Sequence, residues 1–146
     1  IEMGIDPTVA LAAMGTVRAP AGRFSIGRFG DNRARLLLAK NPAGWAESLL
    51  VMASDPVVLA IDSAIADGTD VSWLWDVEFE RLAGRHVICT GPRAQDLAVR
   101  LSYAEVDHEV VDSLREAMAR PYEGTVDVLA TYTAFLNLCK MGGVEW

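Results

Sequence analysis

Histidine and cysteine are scarce in this chain, with two of each among 146 residues. Neither cysteine lies in a CxxC pair, and no Cys/His spacing matches a metal site. So few cysteines in a chain this long do not make a disulfide framework. Cys89 and Cys139 therefore read as buried free thiols in a reducing compartment. His86 opens an apparent strand and His108 sits in an acidic stretch. Neither lies beside a candidate nucleophile, so both are expected to be non-catalytic. Long apolar runs are missing too, which argues against a transmembrane segment. The first residues do not resemble a signal peptide. Basic residues number 13 against 20 acidic ones, for a net charge of −7 and a pI near 4.7. They are scattered, which excludes a general binder of the nucleic-acid backbone. Neither a GxxxxGK[ST] phosphate loop nor a GxGxxG fingerprint is present, so nothing marks a stand-alone nucleotide-binding domain.

What remains is apolar and periodic. Hydrophobic residues make up 51% of the chain, enough for one domain with a proper core. Asp6-Pro7 reads as a helix cap and first helical residue, with a short helix over 8–14 and a linker over 15–22. Residues 23–26 and 33–39 flank Gly30-Asp31-Asn32 as a β-hairpin. Asn41-Pro42-Ala43-Gly44 breaks the second strand, and a helix follows over 45–53. Strands are then expected over 57–61, 86–90, 105–110 and 125–130. Helices are expected over 71–82 with Ser72 as cap, and over 93–103, 113–120 and 132–141. Strands alternating with helices of this length predict a Rossmann-like α/β fold. Its sheet is mostly parallel, with helices on both faces and an antiparallel first hairpin strand. The opening helix and linker, residues 1–21, read as the end of a preceding domain in a longer chain, and residues 22–146 as a complete second domain.

The chemistry is concentrated in Ala66-Asp67-Gly68-Thr69-Asp70-Val71-Ser72-Trp73-Leu74-Trp75-Asp76-Val77-Glu78-Phe79-Glu80. This stretch holds five carboxylates and two tryptophans in fifteen positions. It directly follows the apolar run Val57-Val58-Leu59-Ala60-Ile61, and loops leaving the carboxyl ends of strands are where open α/β sheets bind ligands. Asp67, Asp70 and Asp76 have the chemistry to ligate a divalent cation, orient a histidine or bind an amine. Trp73 and Trp75 are two apart and cannot share one helical face, so one of them is expected at the surface or in a contact. Lys40 and Asn41 stand where a strand gives way to a helix, a place suited to a phosphate or carboxylate. Thr90-Gly91-Pro92-Arg93-Ala94 is a similar strand-to-helix turn, read by itself as simple turn chemistry.

Together, Gly22-Arg23, Leu38-Ala39-Lys40-Asn41-Pro42-Ala43-Gly44, the acidic tryptophan-containing stretch and Thr90-Gly91-Pro92-Arg93-Ala94 resemble the carboxyl-terminal domain of the MurT family. They occur in the same order, from about Gly22 to the end. MurT is the Mur-ligase-like subunit of lipid II isoglutaminyl synthase. The resemblance implies a Mur ligase C-terminal domain, preceded over residues 1–21 by the end of the central domain. It implies a part in a cytoplasmic enzyme that acts on membrane-bound lipid II at the inner face. That enzyme uses ATP and magnesium to activate the α-carboxylate of the stem-peptide D-glutamate. Ammonia from a GatD-type glutamine amidotransferase then converts it to D-isoglutamine. By resemblance, Asp70 completes the amidotransferase Cys-His pair from the neighbouring subunit. Arg23 reaches towards the nucleotide, and Lys40 and Asn41 face the ligase cleft. Asp67, Trp73, Trp75 and Asp76 are the partner-interface candidates. The phosphate loop and zinc-ribbon cysteines of the full subunit are not in this sequence. The fragment alone is thus expected to hold neither cofactor nor metal and to be inactive.

A second reading is a non-catalytic doubly wound regulatory or interaction module. Asp62 and Thr90, at two strand ends, resemble a phosphoacceptor arrangement. A receiver domain would also need an early acidic pair and a lysine ending its last strand, and this chain has neither.

Overall fold

The structure is a computed structural model that describes residues 4–16 and 24–144. Arg23 and most of the expected linker lie outside the described residues. The first helix, α1, spans Pro7–Thr16, and Asp6 Oδ1 accepts from the Thr8 amide at 2.7 Å. It buries none of its residues.

Strands β1 (Phe24–Phe29) and β2 (Asn32–Leu38) form the expected antiparallel hairpin. Phe29 pairs with Asn32, so Gly30 and Asp31 make the turn, and Gly30 takes φ +62° there. Four further strands follow: β3 (Val57–Ala60), β4 (Val87–Thr90), β5 (His108–Val110) and β6 (Thr125–Ala130). The sheet runs β1-β2-β6-β3-β4-β5, and every pairing after the first is parallel. This is the predicted mostly parallel sheet.

Helices cover both faces. Val57, Leu59 and Ile61 point to one side, into a core with Trp45 and Leu49 of α2 (Pro42–Val51) and Leu97 and Leu101 of α3 (Ala94–Tyr103). Val58 and Ala60 point to the other, against Ala117 and Met118 of α4 (Leu114–Ala119) and Phe135 and Leu138 of α5 (Tyr132–Met141). Parallel strands buried on both faces explain the near-continuous apolar runs of the sequence.

The structure corrects three local expectations. The helix expected over 71–82 is two 3₁₀ turns, Ser72–Asp76 and Phe79–Leu82. The buried residues explain this: Val71, Leu74 and Val77 in and flanking the first turn, then Phe79 and Leu82 in the second, recur every three residues. That is the period of a 3₁₀ helix, not of an α-helix. The strand expected over 105–110 begins only at His108. Glu105 takes φ +54° and terminates α3: its amide donates to Ser102 O, and the Val106 amide to Leu101 O. This is a Schellman closure built on a glutamate rather than the usual glycine. Finally, Asn41-Pro42-Ala43-Gly44 does not only break β2. It starts α2, with Asn41 as cap and Pro42 in the first turn.

At the amino ends of β4 and β5, opposite the acidic loop, His86 sits between two carboxylates. Its Nδ1 lies 2.7 Å from Asp107 and its Nε2 3.0 Å from Glu109. Arg120 grips Glu109 with both terminal guanidinium nitrogens, and Asp55 accepts from the His86 amide. The hydrogen bond to Glu109, then that to Asp107, raises the His86 pKa against the opposing pull of burial. Arg120, then His86, pulls the Glu109 carboxyl down to about 2. A raised folded-state value means stability that is fully present below the unfolded value of His86, about 6.5, and lost as pH climbs through the folded one. The Glu109 contribution is present above its unfolded value, about 4.5, and is lost as pH falls towards the folded value of about 2. Thermal midpoints measured across pH should therefore fall on the alkaline side of this window. In His86→Gln that alkaline decline should flatten, and an unchanged profile would show that the cluster contributes nothing.

Candidate functional site

The loop leaving β3 is tied down before it reaches the surface. The Asp62 amide donates to Thr131 Oγ1 at 2.8 Å, and the Asp62 carboxylate accepts from the Ala64 amide at 3.0 Å. The Asp67 and Gly68 amides both donate to Ala64 O, and Gly68 takes φ +89° at the bend. Asp67 Oδ1 then accepts from the Thr133 amide at 2.9 Å, in the first turn of α5. A carboxylate at that end is favoured by the helix dipole and satisfies one of its free amides. Asp67 is thus a cap supplied from another element, and it pins the acidic loop across the carboxyl end of the sheet.

Asp70 is presented differently. Its Oδ1 accepts from the Ser72 amide at 2.8 Å, and the residue is otherwise exposed. The expected cap, Ser72, is therefore the donor and Asp70 the acceptor. The Ser72 amide, then its hydroxyl, holds the Asp70 carboxyl below the ordinary carboxylate range, and the charge of Arg93 adds to this. Asp70 lines a groove of about 510 Å³ with Trp75 of the first 3₁₀ turn, Arg93 at the head of α3, and Asp96 and Val99 along it. Arg93 pairs with Asp96, Nε to Oδ2 at 3.0 Å.

The two tryptophans part company as their spacing requires. Trp73 turns inward, 5.5 Å from the ring of Trp45, which in turn meets Phe79 edge-on at 5.9 Å. Trp75 turns outward and is 54% exposed. Its ring packs edge-on against exposed Tyr103 at 5.2 Å. Asp76 is exposed at the end of the first turn and is not part of the groove lining.

A second group forms one strand over, at the carboxyl ends of β2 and β6. Lys40 is exposed, with Nζ 4.3 Å from the centroid of the Tyr132 ring, a cation–π contact. The Asn41 carboxamide oxygen accepts from the Gly44 amide at 2.9 Å, so it is committed to capping α2. Lys40 and Asp67 thus each reach the start of α5, while Asp70 and Trp75 face the groove towards α3. The Trp45–Trp73 contact joins the two groups through the core. The Thr90-Gly91-Pro92-Arg93-Ala94 turn is confirmed as a turn, with the Ala94 amide donating to Gly91 O. Gly91 has φ +95°, and a Cβ there would stand 2.4 Å from Ile61 O. Only glycine fits that close approach.

Among the described residues no group of three or more His, Cys, Asp or Glu side chains is arranged to hold a metal ion. His108 bonds the backbone oxygen of Val106, and both histidines lie far along the strands from the acidic loop. Both thiols are buried, which pushes Cys89 up to about 12 and Cys139 up to about 11. Sequence reasoning missed Arg100 and Tyr103. The available signal was Arg100 three residues after Leu97, on the apolar stripe of α3.

Comparison with known proteins bears on the family and the fold. Residues 38–135 match the family described as MurT ligase C-terminal. The chain is 31% identical over 150 aligned positions to the lipid II isoglutaminyl synthase (glutamine-hydrolyzing) subunit MurT of Staphylococcus aureus strain COL. That alignment covers 95% of this chain and 34% of the relative. Identity to the MurT subunit of Streptococcus pneumoniae strain R6 is 29%, with the same coverage. The chain thus spans about a third of the length of these curated relatives. In fold it is similar to the UDP-N-acetylmuramate-alanine ligase MurC of Thermotoga maritima. The TM-score is 0.59 and identity 16%, covering 95% of this chain and 33% of that one. No described helix is long and apolar enough to cross a membrane. With more than half of its length inside the matched family region, the chain belongs to the MurT ligase C-terminal family.

Proposed function

We propose that this chain serves as the carboxyl-terminal domain of an ATP-dependent ligase subunit. That subunit amidates the α-carboxylate of D-glutamate in lipid II to D-isoglutamine, with ammonia from a GatD-type glutamine amidotransferase. The relatives' names carry three parts of this reading: lipid II, glutamine hydrolysis and a subunit. The observation that carries the rest is Asp70. It is an exposed carboxylate, fixed by one amide and set beside a half-exposed tryptophan.

A carboxylate so held is suited to another chain's imidazole. It accepts the far N–H of the ring, sets the tautomer and stabilises the charged form. The near side of that imidazole would then serve the partner's cysteine. Trp75 and Tyr103 supply the apolar contact beside it, the residue types enriched where proteins dock. Trp73 acts from below by anchoring the loop on Trp45, and Asp67 by anchoring it on α5. Asp76, exposed at the turn end, is placed at the rim of the same contact.

ATP with magnesium, when bound in the full enzyme, supplies the phosphoryl group that activates the carboxylate. Lys40 fits the nucleotide: its ammonium is exposed and held at the carboxyl end of the sheet by Tyr132. Asn41 acts by fixing the start of α2 beneath it. Arg23 would approach the same nucleotide. The exposed apolar side chains of α1, Val9, Leu11 and Met14, support assigning residues 1–21 to the end of a preceding domain. The enzyme would work in the cytoplasm, on lipid II at the inner face of the membrane.

The test is reconstitution. The full-length subunit, mixed with a GatD-type amidotransferase, ATP, magnesium, glutamine and lipid II, should form D-isoglutamine by mass spectrometry. A stable complex that hydrolyses glutamine yet leaves lipid II unchanged would refute the assigned substrate.

A further inference from the structure

The loop that carries Asp70 and Trp75 has little means of holding its own shape. Its two 3₁₀ turns have five and four residues, too short to be stable alone. Leu74, Val77, Phe79 and Leu82 sink into the core and fix its inner side. They do not fix its outer side, where Trp75 and Asp70 lie. A buried polar side chain of α3 helps to tie the outer side down.

Arg100, in the middle of α3, is 6% exposed. Its Nη2 donates to Val77 O at 2.7 Å, at the joint between the two turns. The same nitrogen lies 3.0 Å from Glu80 Oε1 in the second turn. The guanidinium carbon stands 5.7 Å from the centroid of Trp75 and 5.6 Å from that of Phe79. Arg100 therefore touches both turns and the ring that faces the partner. Its Nε is buried without a hydrogen-bond partner. A methionine would fill such a slot without leaving a buried donor unpaired. A fork with one arm on a carbonyl and its guanidinium carbon within reach of two rings suits positioning better than simple cohesion.

We propose that Arg100 is a positioning residue. Through Val77 O, Glu80 and the Trp75 ring, it sets the geometry in which the loop presents Asp70 and Trp75 to the second subunit. This rests on the reading of Asp70 as the carboxylate of a shared catalytic unit. Tyr103, one turn beyond Arg100, packs edge-on against the Trp75 ring. The surface of α3 thereby acts as the template for the loop.

The experiment uses the full-length subunit in complex with its amidotransferase and measures kcat and KM for glutamine. The variants are Arg100→Met, Arg100→Lys, Asp70→Asn and the double variant Arg100→Met/Asp70→Asn. Misplacing a positioned group by about 1 Å costs up to about 100-fold, so Arg100→Met should lower kcat at least about tenfold with KM little changed. Arg100→Lys keeps the charge and should recover part of the loss. The double variant should be no slower than Asp70→Asn alone, because both act through one carboxylate. A folded, assembled Arg100→Met complex with wild-type kcat overturns the proposal. So does failure of both Arg100 variants to fold, since Arg100 would then hold the domain and not the loop. Failure of the underlying reading looks different: Asp70→Asn itself would retain full hydrolysis.

Discussion

Asp70→Asn in the full-length subunit should abolish most glutamine hydrolysis by the assembled complex while leaving the fold intact. The substitution is nearly isosteric, and Asp70 is exposed with one hydrogen bond, from the Ser72 amide. An asparagine oxygen can keep that bond, so loop and groove should survive. What is lost is the negative charge. The Ser72 amide and hydroxyl, helped by Arg93, keep the wild-type carboxyl ionised well into the acid range. A neutral amide can neither stabilise an imidazolium nor enforce the productive tautomer. The expected loss in kcat is about 10²–10⁴-fold, the range over which acid–base groups contribute. Assembly, followed by sedimentation, should be unchanged, because Trp75 and Tyr103 remain in place. Retained hydrolysis in a stable complex would reduce the acidic loop to a docking element. Loss of assembly with hydrolysis would mean that Asp70 contributes binding and not chemistry.

The sequence displayed the architecture well because parallel strands buried on both faces leave unbroken apolar runs such as Val57 to Ile61. The turns between them carried glycine, proline and asparagine at interpretable places. It displayed the acidic loop by composition, and it separated Trp73 from Trp75 by spacing alone. It hid the conformation of that loop because a three-residue period over so few residues resembles a helical one. Glu105 was hidden for a related reason. A left-handed helix terminus is normally written with glycine, and a glutamate inside Ala-Glu-Val reads as a strand. Asp67 and Arg100 act across long sequence separations, on Thr133 and Val77. No local pattern announces such partners. Asp70 was singled out from Asp67 and Asp76 only through family resemblance, since spacing alone left capping, metal binding and histidine orientation open.

Arg35→Met should be the most destabilising of the changes considered, and its effect should depend on pH. Arg35 in β2 faces Asp127 in β6, in register across the parallel pair. Its Nε donates to Oδ1 at 2.5 Å and its Nη2 to Oδ2 at 2.8 Å, a two-pronged contact. Nη2 also reaches Val51 O, at the end of α2. Asp127 is 2% exposed and takes the Ala53 and Ser54 amides on Oδ2. The pair thus bonds the sheet to the segment leaving α2. Burial alone would push the Asp127 carboxyl up, but Arg35 and the two amides outweigh it and leave it lowered. Its stabilising contribution is therefore present above the unfolded value, about 3.9, and is lost as pH falls through the folded one. Methionine keeps the length and apolar stem but strands a buried carboxylate. Breaking a buried pair in this way costs about 3–5 kcal/mol near neutral pH. That lowers the thermal midpoint by roughly 10 °C or more in a domain of this size. In the variant, burial acts on Asp127 without its cation, so the group protonates more readily and the deficit shrinks on acidification. Urea unfolding of wild type and variant at neutral pH and near pH 4 reads this directly. A deficit equal at both would show that the loss comes from packing rather than from the stranded charge. A deficit below about 1 kcal/mol would place Arg35 among the exposed pairs that contribute little.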